Sequence, residues 1–319
     1  MPPALNAQNV IAFIWDFDKT LTPGYMQGPI FDEYGVDPSS FWKEVNALVA
    51  HYAARGLRVS KDTVYLGHML TYIDGGPFDG LTNARLKELG AKVPLAPGMP
   101  HFMDRMRNIV REDERFAHHD IKVEHYIVST GLRQMIEGDP IHSHVDEVWA
   151  CELLSDPPGA GYLDEISGLD LTDKLTQVGY VLDNTTKTRA IFEINKGVNI
   201  EPKIDVNAQM DPDERRVPLE NMIYVADGPS DVPVFSVVGG AGGRTLGVWT
   251  DEKTTVTSRH SRMTAGLTVS LRRISPRVKR LTCGYPRLFE VLRRGYATRV
   301  TGVLLILDRP GVTSSSQIS

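Results

Sequence analysis

The sequence predicts an α/β protein: a Rossmann-like parallel sheet with a helical segment inserted after its first strand. Three observations carry this. First, Val10 to Trp15 (VIAFIW) is an unbroken apolar run that ends in two acids, Asp16 and Asp18. A run of that kind reads as a strand buried on both faces, and its acids would then stand at the carboxyl edge of a parallel sheet, where α/β folds bind ligands. Second, the form recurs. Tyr126 to Gly131 (YIVSTG) ends in a hydroxyl and a glycine, and Tyr224 to Asp231 (YVADGPSD) ends in Asp227, Gly228 and Asp231. Third, the stretch between the first two strands shows helical rather than alternating periodicity.

Taken in order, Pro23-Gly24 marks a turn after the first strand. Asp37 is an N-cap with Pro38 at the first helical position, and Phe41, Trp42, Val45, Leu48, Val49 and Tyr52 follow at helical spacing. Ser60 is expected to cap a second helix with Val64, His68 and Met69 inward, and Thr82 a third that ends at Gly90. A helix over Pro97 to Arg111, with Phe102, Met106 and Ile109 inward, returns the chain to the sheet. Lys122 to Ser129 is the second core strand. The helix expected from Gly131 to Glu137 would offer its free N–H groups to an anion. Val145 to Leu154 and Val178 to Leu182 read as strands around a Gly-, Pro- and Asp-rich loop, Asp156 to Asp173. Thr185-Thr186-Lys187 opens a helix to Asn195, Asn199 to Val217 is an acidic loop, and Asn221 to Asp227 and Arg244 to Trp249 are the last strands.

The chain has 319 residues, enough for one large or two ordinary domains, and a net charge of −5 that favours neither nucleic acid nor membrane as partner. Cys151 and Cys283 form no disulfide framework and no metal spacing, which fits a reduced, cytoplasmic compartment. Met1 to Gln8 lacks the pattern of a signal peptide, and the longest late apolar run, Val303 to Leu307, is too short to span a bilayer. His118-His119 and His142-Ser143-His144 have no third ligand at metal spacing and read as surface histidines. Gly239 to Gly243 lacks the Lys-Ser/Thr of a P-loop and reads as a turn.

Asp16-Phe17-Asp18-Lys19-Thr20, then Ser129, then Lys187, then Asp227-Gly228-Pro229-Ser230-Asp231 form an ordered set, each acid at the end of an apolar run. In this the chain resembles the haloacid-dehalogenase-like hydrolases, and within them the phosphoserine-phosphatase-like branch, over about residues 10–250. The resemblance implies a core of residues 8–24 and 95–250 and a helical type-1 cap, residues 25–94, that covers the site and selects substrate. It implies a phosphatase acting on a small phosphorylated metabolite. Asp16 would be the nucleophile that forms an aspartyl-phosphate, and Asp18 the general acid and then base. Thr20, Ser129, Thr130, Gly131 and Lys187 would hold the substrate phosphate. Mg2+ would be bound by the Asp16 carboxylate, the Asp18 backbone carbonyl and Asp227, with Asp231 supporting them from behind. Lys196 competes with Lys187 for the role of the charge-neutralising lysine. Asp18 argues against a dehalogenase, which lacks the second acid, and the missing membrane span against a P-type pump. A phosphomutase, or a phosphate-binding protein without turnover, stays open. The identity of the substrate and the oligomeric state are not legible.

The last 69 residues break the pattern. Residues 251–319 carry 13 basic and 4 acidic side chains, against 22 and 36 in the first 250. One reading is a basic tail for an anionic partner. A second is a shifted reading frame. Met263 has a single codon, and the frame offset by two nucleotides reads Asp across it and the next codon. With GC-rich codons for most of Ala265 to Ile274 that frame can continue as Gly-Arg-Val-Asp-Gly-Phe-Ala-Pro-Pro-Asp, and upstream Arg259 to Arg262 can yield Ala and Leu, as an amphipathic helix would want. On that reading the segment was never selected to fold and should be poorly ordered. The nucleotide sequence checks it: an open offset frame is expected past Arg280, and a stop codon before it rules the shift out.

Overall fold

The computed structural model describes residues 8–163 and 172–248. The basic segment with its two readings, and the end of the last expected strand at Trp249, lie outside the described residues. Strand β1 (Val10–Trp15) is buried at every position. It lies inside a six-stranded sheet of order β4-β3-β2-β1-β5-β6. The other strands are β2 (Lys122–Leu132), β3 (Glu147–Ser155), β4 (Leu175–Tyr180), β5 (Met222–Ala226) and β6 (Arg244–Gly247). All neighbours are parallel except β3 and β4. Trp15 sits opposite Ile127 on one side and Val225 on the other, so β1, β2 and β5 finish level with one another. The chain leaves β1 to one side for β2 to β4, then returns to the other side for β5 and β6. That reversal opens a crevice beyond the carboxyl ends of the strands.

Four helices lie between β1 and β2's leading helix: α1 (Gly28–Tyr34), α2 (Pro38–Ala53), α3 (Val64–Ile73) and α4 (Asn83–Gly90). Asp37 caps α2 by accepting the Ser40 N–H at 2.9 Å, and Thr82 caps α4 by accepting the Arg85 N–H at 3.1 Å, as the sequence predicts. Three expectations shift. Helix α3 starts at Val64, because the turn over residues 61–63 uses the Ser60 carbonyl, not its hydroxyl, as acceptor for the Val64 N–H. Its inner face is Tyr65, Leu66, Met69 and Ile73, whereas His68 turns toward Glu44 at 2.9 Å. In α2 only Phe41 and Val45 are fully buried, and Val49 is exposed, since the apolar stripe outruns what the neighbouring helices cover.

Helix α5 (His101–Glu112) starts after a turn at Gly98, whose φ of +92° suits glycine, and buries Phe102, Met103, Met106 and Val110. A short helix, α6 (Glu114–Ala117), leads to β2. β2 does not stop at Ser129. It runs on to Leu132, which pairs with Cys151 after an irregularity past Val128, so the next helix, α7 (Arg133–Gly138), begins two residues later than the sequence predicts. β4 begins at Leu175 and ends at Tyr180. Helices α8 (Lys187–Lys196) and α9 (Val232–Gly240) complete the described fold. No helix among the described residues is long and apolar enough to cross a membrane.

The inserted helices and the sheet share one hydrophobic cluster. Within it, Phe41 packs at 5.2 Å from Phe31, 5.1 Å from Tyr72 and 6.0 Å from Phe78, ring centre to ring centre. Helix α4 meets α7 backbone to backbone. A Cβ on Gly90 would lie 2.0 Å from the Met135 carbonyl oxygen, and one on Gly138 would lie 1.9 Å from that of Lys87. Lys87 and Glu137 add an ion pair at 2.9 Å across the same crossing. Gly138→Ala should therefore force the helices apart and cost about 1–3 kcal/mol. Gly159→Ala, where a Cβ meets nothing within 4 Å, should cost little. Urea unfolding of the two variants checks this, and equal midpoints would refute the tight crossing.

Candidate active site

The Asp16 backbone N–H donates to the Val225 carbonyl at 2.9 Å, the last rung between β1 and β5. Past it the chain curls into one tight turn: the N–H groups of Thr20, Leu21 and Thr22 all point to the Phe17 carbonyl, at 3.2, 2.9 and 3.3 Å. Lys19 takes φ +59° inside this turn, and its N–H reaches the Gly24 carbonyl at 3.0 Å. The curl carries Thr20 back beneath Asp16, so that its hydroxyl donates to Asp16 Oδ2 at 3.1 Å. Asp18 Oδ1 accepts the Met26 N–H at 2.8 Å.

Lys187, the first residue of α8, is 1% exposed. Its ammonium donates to Asp16 Oδ1 at 2.8 Å and to Asp231 Oδ1 at 2.7 Å. Asp231 is fully buried and accepts two further bonds, from the Tyr224 hydroxyl at 2.5 Å and the Ser230 hydroxyl at 2.7 Å. Asp227 differs: half-buried, its carboxylate has no hydrogen-bond or ion-pair partner among the described residues. One oxygen each of Asp16, Asp227 and Asp231 lie within 4.8 Å of one another. Lys196, the other candidate lysine, binds the carbonyls of Val206 (2.6 Å) and Ala208 and so holds the 199–217 loop rather than the site.

Four carboxylates face the Lys187 ammonium, which bonds to two of them. Burial raises the Asp16 carboxyl, and Asp231 adds to this while Lys187 opposes it. Burial and then the Asp16 charge push Asp18 up to about 7. Burial, then Asp16 and Asp231, push Asp227 up to about 6. Burial works against the Lys187 ammonium, but Asp16 and Asp231 outweigh it and keep the group charged. The surplus negative charge and the unpartnered Asp227 fit a cation. An all-oxygen donor set, with neither sulfur nor imidazole in it, fits a hard one such as Mg2+. Asp16, Asp18 and Asp227 could hold it, while Asp231 is already engaged by three donors.

The predicted residues at the ends of β1, β5 and the start of α8 thus come together. The expected anion cradle past Ser129 falls within the end of β2, and the protein itself occupies it. The Gly131 N–H donates to Ser129 Oγ at 3.0 Å, and the Leu132 N–H to the Met26 sulfur at 3.1 Å. The Met26 methyl rests where a Cβ on Gly131 would lie, 2.2 Å from it. Thr130 offers its carbonyl to the Tyr65 hydroxyl at 2.7 Å. Three of these contributors were not singled out for the site from the sequence. Tyr224 carried a signal, since a phenol in a buried aliphatic strand needs an acceptor. Met26 and Tyr65 carried none, because their partners are distant in sequence.

No family model matches the chain. An uncharacterized protein of Borreliella burgdorferi is 40% identical over 232 residues, 72% of this chain and 79% of that one. Among solved structures, a HAD-family hydrolase of Salmonella enterica serovar Typhi is 15% identical, with a TM-score of 0.43 over 72% of this chain and 60% of that one. The chain thus spans less than two thirds of that protein. A phospho-aspartyl intermediate analogue of phosphoserine phosphatase is 16% identical, with a TM-score of 0.44 over 75% of this chain and 86% of that one. A phosphoserine phosphohydrolase-like protein of Francisella tularensis is 17% identical, with a TM-score of 0.40 over 74% and 86%.

The raised carboxyls make a testable link to stability. Asp18 and Asp227 titrate near 7 and 6 in the folded chain, above the ordinary 3.8. The folded chain then holds protons between about pH 4 and 7 that the unfolded chain has released, so stability falls as pH rises through that window. In excess chelator, Tm at pH 5.5 should exceed that at pH 7.5 by on the order of 5 °C. Mg2+ should raise Tm more at pH 7.5 than at pH 5.5, because protons compete with it. The double variant Asp18→Asn/Asp227→Asn should flatten both effects. A flat Tm profile in the unsubstituted chain would refute the shared negative charge.

Proposed function

The chain belongs to the same family as the Borreliella burgdorferi protein, and we propose that it is a haloacid-dehalogenase-like enzyme of the phosphoserine-phosphatase branch, a magnesium-dependent hydrolase of a small phosphomonoester. The observation that carries this is the pairing of Asp16 with Asp18. Asp16 is held in one orientation by Thr20 and Lys187, while burial and the Asp16 charge push the carboxyl of Asp18, two residues on, up to about 7.

Asp16 would attack phosphorus, forming a bond from its carboxylate oxygen as the bond to the leaving alcohol breaks. Asp18 would give its proton to that departing oxygen. Asp18, now ionised, would take a proton from water as the water oxygen bonds to phosphorus and the Asp16 ester bond breaks. Lys187 would offset charge on the nucleophile and on the phosphate. Thr20, Ser129, Thr130 and Gly131 would hold the phosphate oxygens once Met26 withdraws from Gly131 and Leu132 and phosphate replaces the internal acceptors. The Asp16 carboxylate, the Asp18 backbone carbonyl and Asp227 would hold Mg2+, which when bound supplies charge neutralisation and orients the phosphate. Residues 25–94 would act as the cap that excludes water and selects substrate, with the Tyr65 bond to Thr130 as one of its contacts with the core.

Asp16→Asn, nearly isosteric, should lower release of inorganic phosphate to background while the chain still unfolds in one cooperative transition, at a midpoint lowered by the loss of one charged partner of Lys187. Asp227→Ala should raise the Mg2+ concentration needed for half-maximal activity by about tenfold or more. The measurement is phosphate release from a panel of phosphorylated metabolites with and without Mg2+. Full turnover by Asp16→Asn, or in excess chelator, would sink the mechanism.

A further inference from the structure

One wall beside the carboxylates is aromatic. Tyr25 directly precedes Met26, whose N–H holds Asp18, and it is 54% exposed. Lys19 donates to the Tyr25 hydroxyl at 2.7 Å and lies 4.0 Å from its ring centre. The Tyr25 ring is 6.2 Å from Trp42, and Trp42 is 5.7 Å from Tyr65. Tyr65 in turn donates to the Thr130 carbonyl. A row of three rings therefore runs from the loop that carries Asp18 to the strand end that carries Ser129.

The row is rigid at one end and open at the other. Trp42 stands edge-on to Phe31 and Phe41, at 6.4 and 5.2 Å, and Tyr65 is 5% exposed, so both rings are fixed by the helices around them. Tyr25 is 54% exposed, with the Lys19 ammonium over part of its ring. Among the described residues the charged side chain bonded to the row is Lys19, and its ammonium is engaged by the Tyr25 phenol. A flat ring would find a fixed π surface at low conformational cost.

We propose that the alcohol part of the substrate is a planar aromatic or heteroaromatic ring that stacks on Tyr25, braced from behind by Trp42. The proposal rests on the phosphatase reading for its placement, but its test separates the two. The probes are benzyl phosphate and cyclohexylmethyl phosphate, which share a primary alcohol and similar bulk and differ in the flat π system. Their phosphonates serve as non-hydrolysable ligands. With the full chain in Mg2+, benzylphosphonate should bind about fivefold to tenfold more tightly than cyclohexylmethylphosphonate by calorimetry, and kcat/KM should favour benzyl phosphate by a similar factor. Tyr25→Leu should bring both ratios close to one, while Tyr25→Phe, which keeps the ring, should retain them. Preferential binding of benzylphosphonate without turnover of either ester would uphold the stacking site and reject the phosphatase reading. Equal binding of the two phosphonates, or a preference that survives Tyr25→Leu, would overturn the stacking site whatever the turnover.

Discussion

The Lys187 ammonium, held between Asp16 and Asp231, is the contact on which the rest of the site depends. It joins the start of α8 to the end of β1 and to the start of α9, segments far apart in sequence. A buried ammonium is tolerable only with partners, and here each partner is itself fixed. Thr20 holds the far oxygen of Asp16, and Tyr224 and Ser230 hold Asp231. Removing one member of such a group leaves an unpaired buried charge, at a cost of about 3–5 kcal/mol. The arrangement therefore contributes order rather than a large net stability. It fixes which oxygen of Asp16 is bonded to lysine and which faces the threonine.

The same arrangement leaves the site short of positive charge. Lys187 bonds to Asp16 and Asp231, which leaves Asp18 and Asp227 without an ion-pair partner among the described residues. Burial first, and then the Asp16 charge, lifts their carboxyls to about 7 and about 6, above the usual carboxylate range. Asp231 and Asp227 come from one short motif yet serve opposite purposes. Asp231 is saturated by donors and acts through the lysine, while Asp227 keeps its oxygens open.

The inserted helices are tied to this centre at two points. Met26 contributes its N–H to Asp18 and its sulfur to Leu132, and Tyr65 contributes its hydroxyl to Thr130. Both touch the last residues of β2, where the anion cradle was expected. Closed in this way, the cradle's amides are satisfied within the protein, which avoids the cost of burying them without partners. Helix α4 is held differently, by glycines that let its backbone rest on α7.

The sequence by itself determined the strands that end in acids, the order of the motifs, the caps at Asp37 and Thr82 and the choice of Lys187 as the opening residue of α8. These are local properties, legible because a buried strand, a capping side chain or a strand-end acid is written in a few consecutive residues. It erred where a neighbour supplied the deciding contact. β2 continues to Leu132 because β3 pairs with it again at Cys151, and α3 begins at Val64 because a backbone carbonyl did the work assigned to a hydroxyl. Tertiary structure alone decided that Asp231 is occupied and Asp227 is open, that Lys196 belongs to a loop and that Met26 and Tyr65 reach the site. Such facts depend on which groups from distant segments share a buried volume, and hydrogen-bond saturation there is settled by packing rather than by spacing along the chain.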